Sequence, residues 1–268
     1  MSSSQVLHFA HANGFPAESY NKLFKQLTPR YKVIAKDKFT HNNAYPLNDN
    51  WESTVDELVD YTEHHLTKGE KAIAVGHSFG AVISYKAVCK RPDLFSQLIM
   101  LEPPLITGIT RLLFKIAKRT RFINNITPAG ITQIRKQKWY ADQDLFDYFS
   151  KKALFKHFDP ECITDYISAA TQQNGAYKVL TFEVQNEADI FRTIPHNLPS
   201  YYQSLKVPST LVSAEYTNVC VPYLRKPFLR HNNNMKHIEF ASAGHMFPLE
   251  KPIEVASLIE NIALSQVT

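Results

Sequence analysis

The chain has 268 residues, 44% of them hydrophobic, and a formal net charge of +5. That length can bury a large core, as one domain with an insertion or as two small domains, and no stretch approaches the roughly 20 apolar residues of a membrane span. The cysteines Cys89, Cys162 and Cys220 lie far apart without a C-x-x-C pair, which excludes the usual zinc and disulfide patterns. The N-terminal residues MSSSQVLHFAHANG show neither a basic leader nor an apolar signal core, so a cytoplasmic location is expected.

Strand and helix alternate from the start. Gln5 to Phe9 reads as a strand and leads into HANGFP, His11 to Pro16, where glycine and proline fix a turn. A helix is predicted over Ala17 to Leu27, with Tyr20, Leu23, Phe24 and Leu27 on one face, then a strand over Tyr31 to Ala35. Phe39 to Asn50 is polar loop, and Trp51 to Leu66 is an acidic amphipathic helix. The apolar run Ala72 to Val75 passes through Gly76-His77-Ser78-Phe79-Gly80 into a helix over Phe79 to Arg91. A strand at Gln97 to Leu101 ends at Glu102-Pro103-Pro104, and there the rhythm stops.

From Leu105 to Leu205 strand signals are weak and helices are expected, among them Thr110 to Ala117, Asp144 to Ala153 and Pro160 to Ala170. Alternation resumes with a strand at Thr210 to Ala214, a helix at Pro222 to Arg230, a strand at Lys236 to Phe240, a loop at Ala241 to Phe247 and a helix at Pro252 to Leu264. The expected class is α/β: a mostly parallel, twisted sheet of about six strands flanked by helices. Residues 1–104 and 207–268 form the expected core. Residues 105–206 form an inserted helical cap over the carboxyl ends of the strands, where open α/β sheets bind ligands.

The chemistry concentrates at two glycine-containing loops. A serine between Gly76 and Gly80, on a strand-to-helix turn, has its hydroxyl lifted above the sheet, so Ser78 is the candidate nucleophile. Gly244-His245-Met246-Phe247-Pro248 follows the last predicted strand, and a histidine there can reach that serine as general base. His77, as the neighbour of Ser78, should point away from the nucleophile and serve as structure. Leu105 to Ala141 carries Arg111, Lys115, Lys118, Arg119, Arg121, Arg135, Lys136 and Lys138 without one Asp or Glu. Such a run is a solvated helical face, or it attracts anionic substrates or an acidic membrane surface. No aromatic-basic module points to nucleic acid.

GHSFG, HANGFP and GHMFPLEKP together resemble the α/β-hydrolase superfamily, over residues 5 to 104 and 207 to 265, with a cap inserted where many members carry one. The resemblance implies Ser78 as nucleophile, His245 as base and an oxyanion hole made by the backbone N–H groups of Phe79 and Phe15. It also implies that the family's usual N-terminal antiparallel strands are missing, leaving six parallel ones. Asn13 stands where the family often has a histidine, so Asn13 or His11 is expected to hold the loop. The slot where the family usually keeps its acid, after the next-to-last strand, is filled by Thr217. Glu102 is the expected substitute, as in family members that carry the acid after the strand following the elbow helix. Glu215 is second choice, more naturally a loop-capping carboxylate, and a dyad remains open.

These residues predict a serine hydrolase of carboxylic esters, esterase- or lipase-like, with neither metal nor organic cofactor. Its substrate is a small molecule with an apolar acyl part, for which Leu112, Leu113, Phe114, Trp139, Tyr140, Phe146, Tyr148 and Phe149 offer pocket or cap-core material. A carbon–carbon bond hydrolase, thioesterase or acyltransferase would use the same serine and histidine. A non-catalytic binding or interaction protein on the same scaffold is the alternative of another class.

Overall fold

In the computed structural model, which describes residues 4–265, the first half of the chain lays down β1 (Gln5–Ala10), α1 (Asn21–Leu27), β2 (Tyr31–Ile34), α2 (Glu52–His65), β3 (Ala72–His77), α3 (Phe79–Lys90) and β4 (Phe95–Leu101). An insertion follows with α4 (Thr110–Ala117), α5 (Ile123–Ile126), α6 (Ala129–Gln133), β5 (Lys138–Tyr140) and α7 (Leu145–Ser150). It continues through α8 (Pro160–Ala170), β6 (Thr171–Asn174), β7 (Tyr177–Leu180) and α9 (Val184–Arg192). The chain then closes with β8 (Ser209–Ala214), α10 (Pro222–His231), β9 (Met235–Phe240), α11 (Phe247–Glu250) and α12 (Pro252–Leu264).

The main sheet has six strands in the order β2-β1-β3-β4-β8-β9, all pairs parallel. Helices cover both faces, so β3 and β8 are buried at every position and, apart from His77 at the end of β3, read as unbroken apolar or small runs. The edge strand β9 is mostly exposed or half-buried and mixes lysine and glutamate with its apolar residues. Alternate side chains feed two separate cores. Leu7, Phe9, Ile73, Val75, Ile99 and Val212 pack on the α1 and α12 side, while Val6, Ala74, Leu98, Met100 and Leu211 pack with α2, α3 and α10.

The insertion differs from the helical expectation. It carries its own three-stranded antiparallel sheet, ordered β5-β7-β6, beside its helices. The strands are three or four residues long and mostly exposed or half-buried, too short for hydrophobic alternation to announce them. The readable signal is Asn174-Gly175, the start of a tight hairpin in which Asn174 pairs with Tyr177 and Gly175 takes φ 58°. The insertion is tied to the sheet layer at identifiable points. Asp159 caps α8 by accepting the Glu161 N–H and also receives the Lys22 ammonium of α1 at 2.8 Å. Lys118, one of the cations of the basic run, has a side chain only 7% exposed and binds Asp49 at 2.6 Å.

Candidate active site

The turn from β3 into α3 forces Ser78 to φ 53°, ψ −117°, a conformation that non-glycine residues avoid. The strain falls on the serine itself. Gly76 and Gly80 are needed for room instead: a methyl group on Gly76 would collide with the Gly80 carbonyl, and one on Gly80 with the Ala10 carbonyl of β1. The elbow is therefore wedged between two strands and its own helix, and the serine hydroxyl has one direction left.

That direction leads to the histidine loop. Ser78 Oγ lies 3.0 Å from His245 Nε2, a hydrogen bond. The loop is pinned on both flanks, by Glu250 accepting the Gly244 N–H at 3.0 Å and by the Tyr216 N–H donating to the Ala243 carbonyl at 3.1 Å.

On the other side of the imidazole, Nδ1 is buried without a hydrogen-bond partner among the described residues, and Glu102 Oε1 lies 3.9 Å from it. Glu102 sits just past the end of β4 at φ 51°, fully buried. Its carboxylate accepts the N–H groups of Ala214 at 2.6 Å and Cys220 at 3.1 Å, and the hydroxyl of Thr217. Thr217 thus occupies the late-loop slot as a donor to the carboxylate that approaches from β4. Glu215 is elsewhere: it accepts the Ser242 N–H at 2.7 Å in the turn after β9 and makes no ion pair with His245.

The expected oxyanion donors separate. Phe79, the first residue of α3, gives its N–H to no backbone acceptor among the described residues. Phe15 lines the same cavity, but its N–H closes the turn onto the Ala12 carbonyl at 3.1 Å, which corrects the expectation of a free donor there. The loop is held much as its composition suggested. His11 donates from Nδ1 to the Ala12 carbonyl at 2.8 Å and accepts the Phe39 N–H on Nε2, while Asn13 Nδ2 donates to the Glu187 carbonyl at 2.8 Å. Burial holds the His11 pKa down at about 4, so it is neutral.

His77 points away from Ser78 but joins the two loops around it. The Ala12 N–H donates to Tyr20 Oη at 3.2 Å, Tyr20 donates to His77 Nδ1 at 2.8 Å, and His77 Nε2 donates to the His245 carbonyl at 2.9 Å. Burial, and then the neighbouring His245, lowers the His77 pKa to about 3, so the ring stays neutral and keeps this donor-acceptor polarity. Sequence reasoning read Tyr20 only as part of an apolar helix face, because a hydroxyl in such a stripe gives no sign of its partner.

Above the pair lies a cavity of about 1230 Å³ walled mainly by apolar side chains of the insertion and the core, among them Leu113, Ile116, Trp139, Phe149, Phe191 and Leu105. Of the apolar residues picked from the sequence, Leu113, Phe114, Trp139, Tyr148 and Phe149 reach it. Leu112, Tyr140 and Phe146 are exposed elsewhere on the insertion. Arg135 and Glu187 pair at 2.8 Å in its wall, with Tyr166 Oη accepting from Arg135 at 2.9 Å. Arg135 therefore contributes no free charge to the basic run. Glu187 went unnoticed because α9 itself was not predicted.

The chain matches the model of the alpha/beta hydrolase family over residues 9–258. It is a member of that family. A strigolactone esterase, RMS3, of Pisum sativum is 29% identical over 107 residues, 37% of this chain and 39% of that protein's length. Among solved structures, E-2-(acetamidomethylene)succinate hydrolase superposes with a TM-score of 0.77 at 17% identity, over 97% of this chain and 92% of that one. The peroxisomal alpha-beta-hydrolase Lpx1 of Saccharomyces cerevisiae gives 0.81 at 14% identity, over 100% and 79%. A thioesterase domain from the curacin biosynthetic pathway gives 0.70 at 18%, over 96% and 91%. At these identities the solved structures speak for the fold alone. Among the described residues no helix is long and apolar enough to cross a membrane.

Proposed function

We propose that this chain is a serine hydrolase of carboxylic esters, with Ser78 as nucleophile, His245 as general base and Glu102 as the acid that orients it. The observation that carries this reading is the 3.0 Å contact between Ser78 Oγ and His245 Nε2 at the floor of an apolar cavity. Ser78 Oγ attacks the ester carbon as its proton passes to His245 Nε2. The imidazolium that results carries its second proton on Nδ1, facing Glu102. The 3.9 Å separation is long for a hydrogen bond, as ligand-free catalytic contacts often are.

The oxyanion takes the free Phe79 N–H. Its second donor comes from the loop of residues 12–15, where the Phe15 N–H must turn from the Ala12 carbonyl to serve. Collapse breaks the C–O bond, and His245 returns its proton to the departing alcohol. Water then attacks the acyl-Ser78 ester as one of its protons passes to His245, and collapse breaks the acyl–Oγ bond as His245 returns that proton to Ser78 Oγ, releasing the carboxylic acid. The apolar walls favour a substrate with an apolar acyl part. No step in this sequence calls for a metal or an organic cofactor.

Labelling with a fluorophosphonate, followed by turnover of nitrophenyl esters of increasing acyl length beside matched thioesters and vinylogous diketones, tests the reading. The parent should be labelled, Ser78→Ala should not, and esters should turn over fastest. A parent that resists labelling would leave a binding protein on a hydrolase scaffold. Preference for thioester or diketone would keep the machinery and change the bond.

A further inference from the structure

The face of the insertion around the mouth of the cavity is unusually apolar for a surface. Ile109 is 71% exposed, Ile116 65%, Ile131 73% and Ile134 83%, with Leu113 and Phe122 beside them. These residues come from α4, α5, α6 and their flanks, and Leu113, Ile116, Phe122 and Ile131 also line the cavity, so the exposed patch and the cavity wall are continuous. Helix α4 buries only Ala117 and half-buries Phe114 against the core, leaving Leu112, Leu113 and Ile116 exposed. Scattered exposed apolar residues are ordinary, but a contiguous patch of this kind marks a docking surface.

Charge decides what docks. Lys118 and Arg135 are taken up by Asp49 and Glu187. Lys115, Arg119 and Arg121 are exposed and make no ion pair among the described residues, and the segment from Leu105 to Ala141 supplies no acid to offset them. Exposed apolar side chains accompanied by unpaired cations on and just after α4 match the boundary of a bilayer with anionic headgroups. A second copy of this chain fits poorly, because a two-fold contact would set the same cations against themselves.

We infer that the α4–α6 face docks on anionic membrane surfaces and opens the cavity mouth onto the bilayer. Docking itself is independent of the hydrolase reading. Delivery of a lipid-borne ester to Ser78 would rest on it.

Co-sedimentation of the Ser78→Ala protein with vesicles separates the two ideas, since it reads binding without turnover. Vesicles of phosphatidylcholine containing a third phosphatidylglycerol should bind it at least tenfold more tightly than pure phosphatidylcholine. The triple variant Lys115→Glu, Arg119→Glu, Arg121→Glu should weaken that binding about a hundredfold. Ile109→Ser with Ile134→Ser, which changes no charge and no cavity-lining residue, should weaken it at least tenfold while thermal melting holds.

Equal binding to both vesicle types, or binding indifferent to both variants, would overturn the proposal. So would a concentration-dependent dimer that the isoleucine variant dissolves, since the face would then be an interface between copies. Tight capture of an acidic polypeptide with no vesicle binding would equally replace the membrane with a protein partner.

Discussion

The sheet layer around Ser78 and helix α4 of the insertion above it treat apolar surface in opposite ways. Helix α3 buries ten of its twelve residues and β3 buries all six, with no space for even a methyl group on Gly76 or Gly80. Helix α4, of eight residues, buries one. Interior packing is close to crystalline, so a site built on the first region inherits fixed distances, whereas the second leaves its apolar atoms available for contact with something else. The groups proposed to react therefore belong to the rigid layer. The cavity wall draws on both, with Leu113 and Ile116 of α4 beside Phe79 and Leu105.

The largest effect should come from the rigid layer. Ser78→Ala should lower kcat for an activated ester by about 10⁴-fold or more with the fold intact, measured by steady-state kinetics alongside circular dichroism. A residual rate near that of the parent would take the chemistry away from the elbow. Next, Glu102→Gln should cost about 10³- to 10⁴-fold in kcat, as removal of a histidine-orienting acid does, while Glu215→Gln should stay within about twofold. The reverse ranking would move the acid to the turn after β9.

Stability should divide the same way. Ile99→Ala, in the middle of β4 and fully buried, should cost about 2–5 kcal/mol in urea unfolding, whereas Ile134→Ala should stay within about 0.5 kcal/mol. Equal costs would erase the contrast between the regions.

A smaller effect per unit of pH concerns three histidines of the sheet layer. Burial lowers the pKa of His8 and His77 to about 3 and of His11 to about 4. Each folded-state value lies below the unfolded 6.5, so below that pH the unfolded chain binds protons that the folded one refuses. Stability is then intact above pH 6.5 and falls as pH drops toward 4, by about 1.4 kcal/mol per unit for each histidine. Urea midpoints measured from pH 7 to pH 4.5 should decline over that window, and His8→Phe should make the decline shallower.

Most of the sheet layer was legible because buried parallel strands and amphipathic helices leave strong periodic marks. Every predicted core strand agrees with the observed one to within two residues at either end. The insertion was only partly legible. Its strands are only three or four residues long and mix Lys, Gln and Thr with a few apolar residues, too short for apolar periodicity to reveal, although Asn174-Gly175 was there to be read. Helix α9 was also missed.

At the site, Ser78, His245 and Glu102 were each singled out by their position at a strand end, and the structure brings the three side chains together. What no local pattern could supply was pairing at a distance. Tyr20 with His77, Thr217 with Glu102, and Asn13 with the Glu187 carbonyl join residues 57, 115 and 174 positions apart in the chain.

The hydrogen-bonded relay from Ala12 through Tyr20 and His77 to His245 spans nearly the whole polypeptide. Its last member lies in the loop after β9, the edge strand of the sheet. A chain cut before β9 would keep the elbow, the early loop and Glu102 but lose both His245, the proposed base, and the carbonyl that completes the relay. Under the proposed reading, ester turnover in a refolding experiment should return only once β9 and its loop have docked.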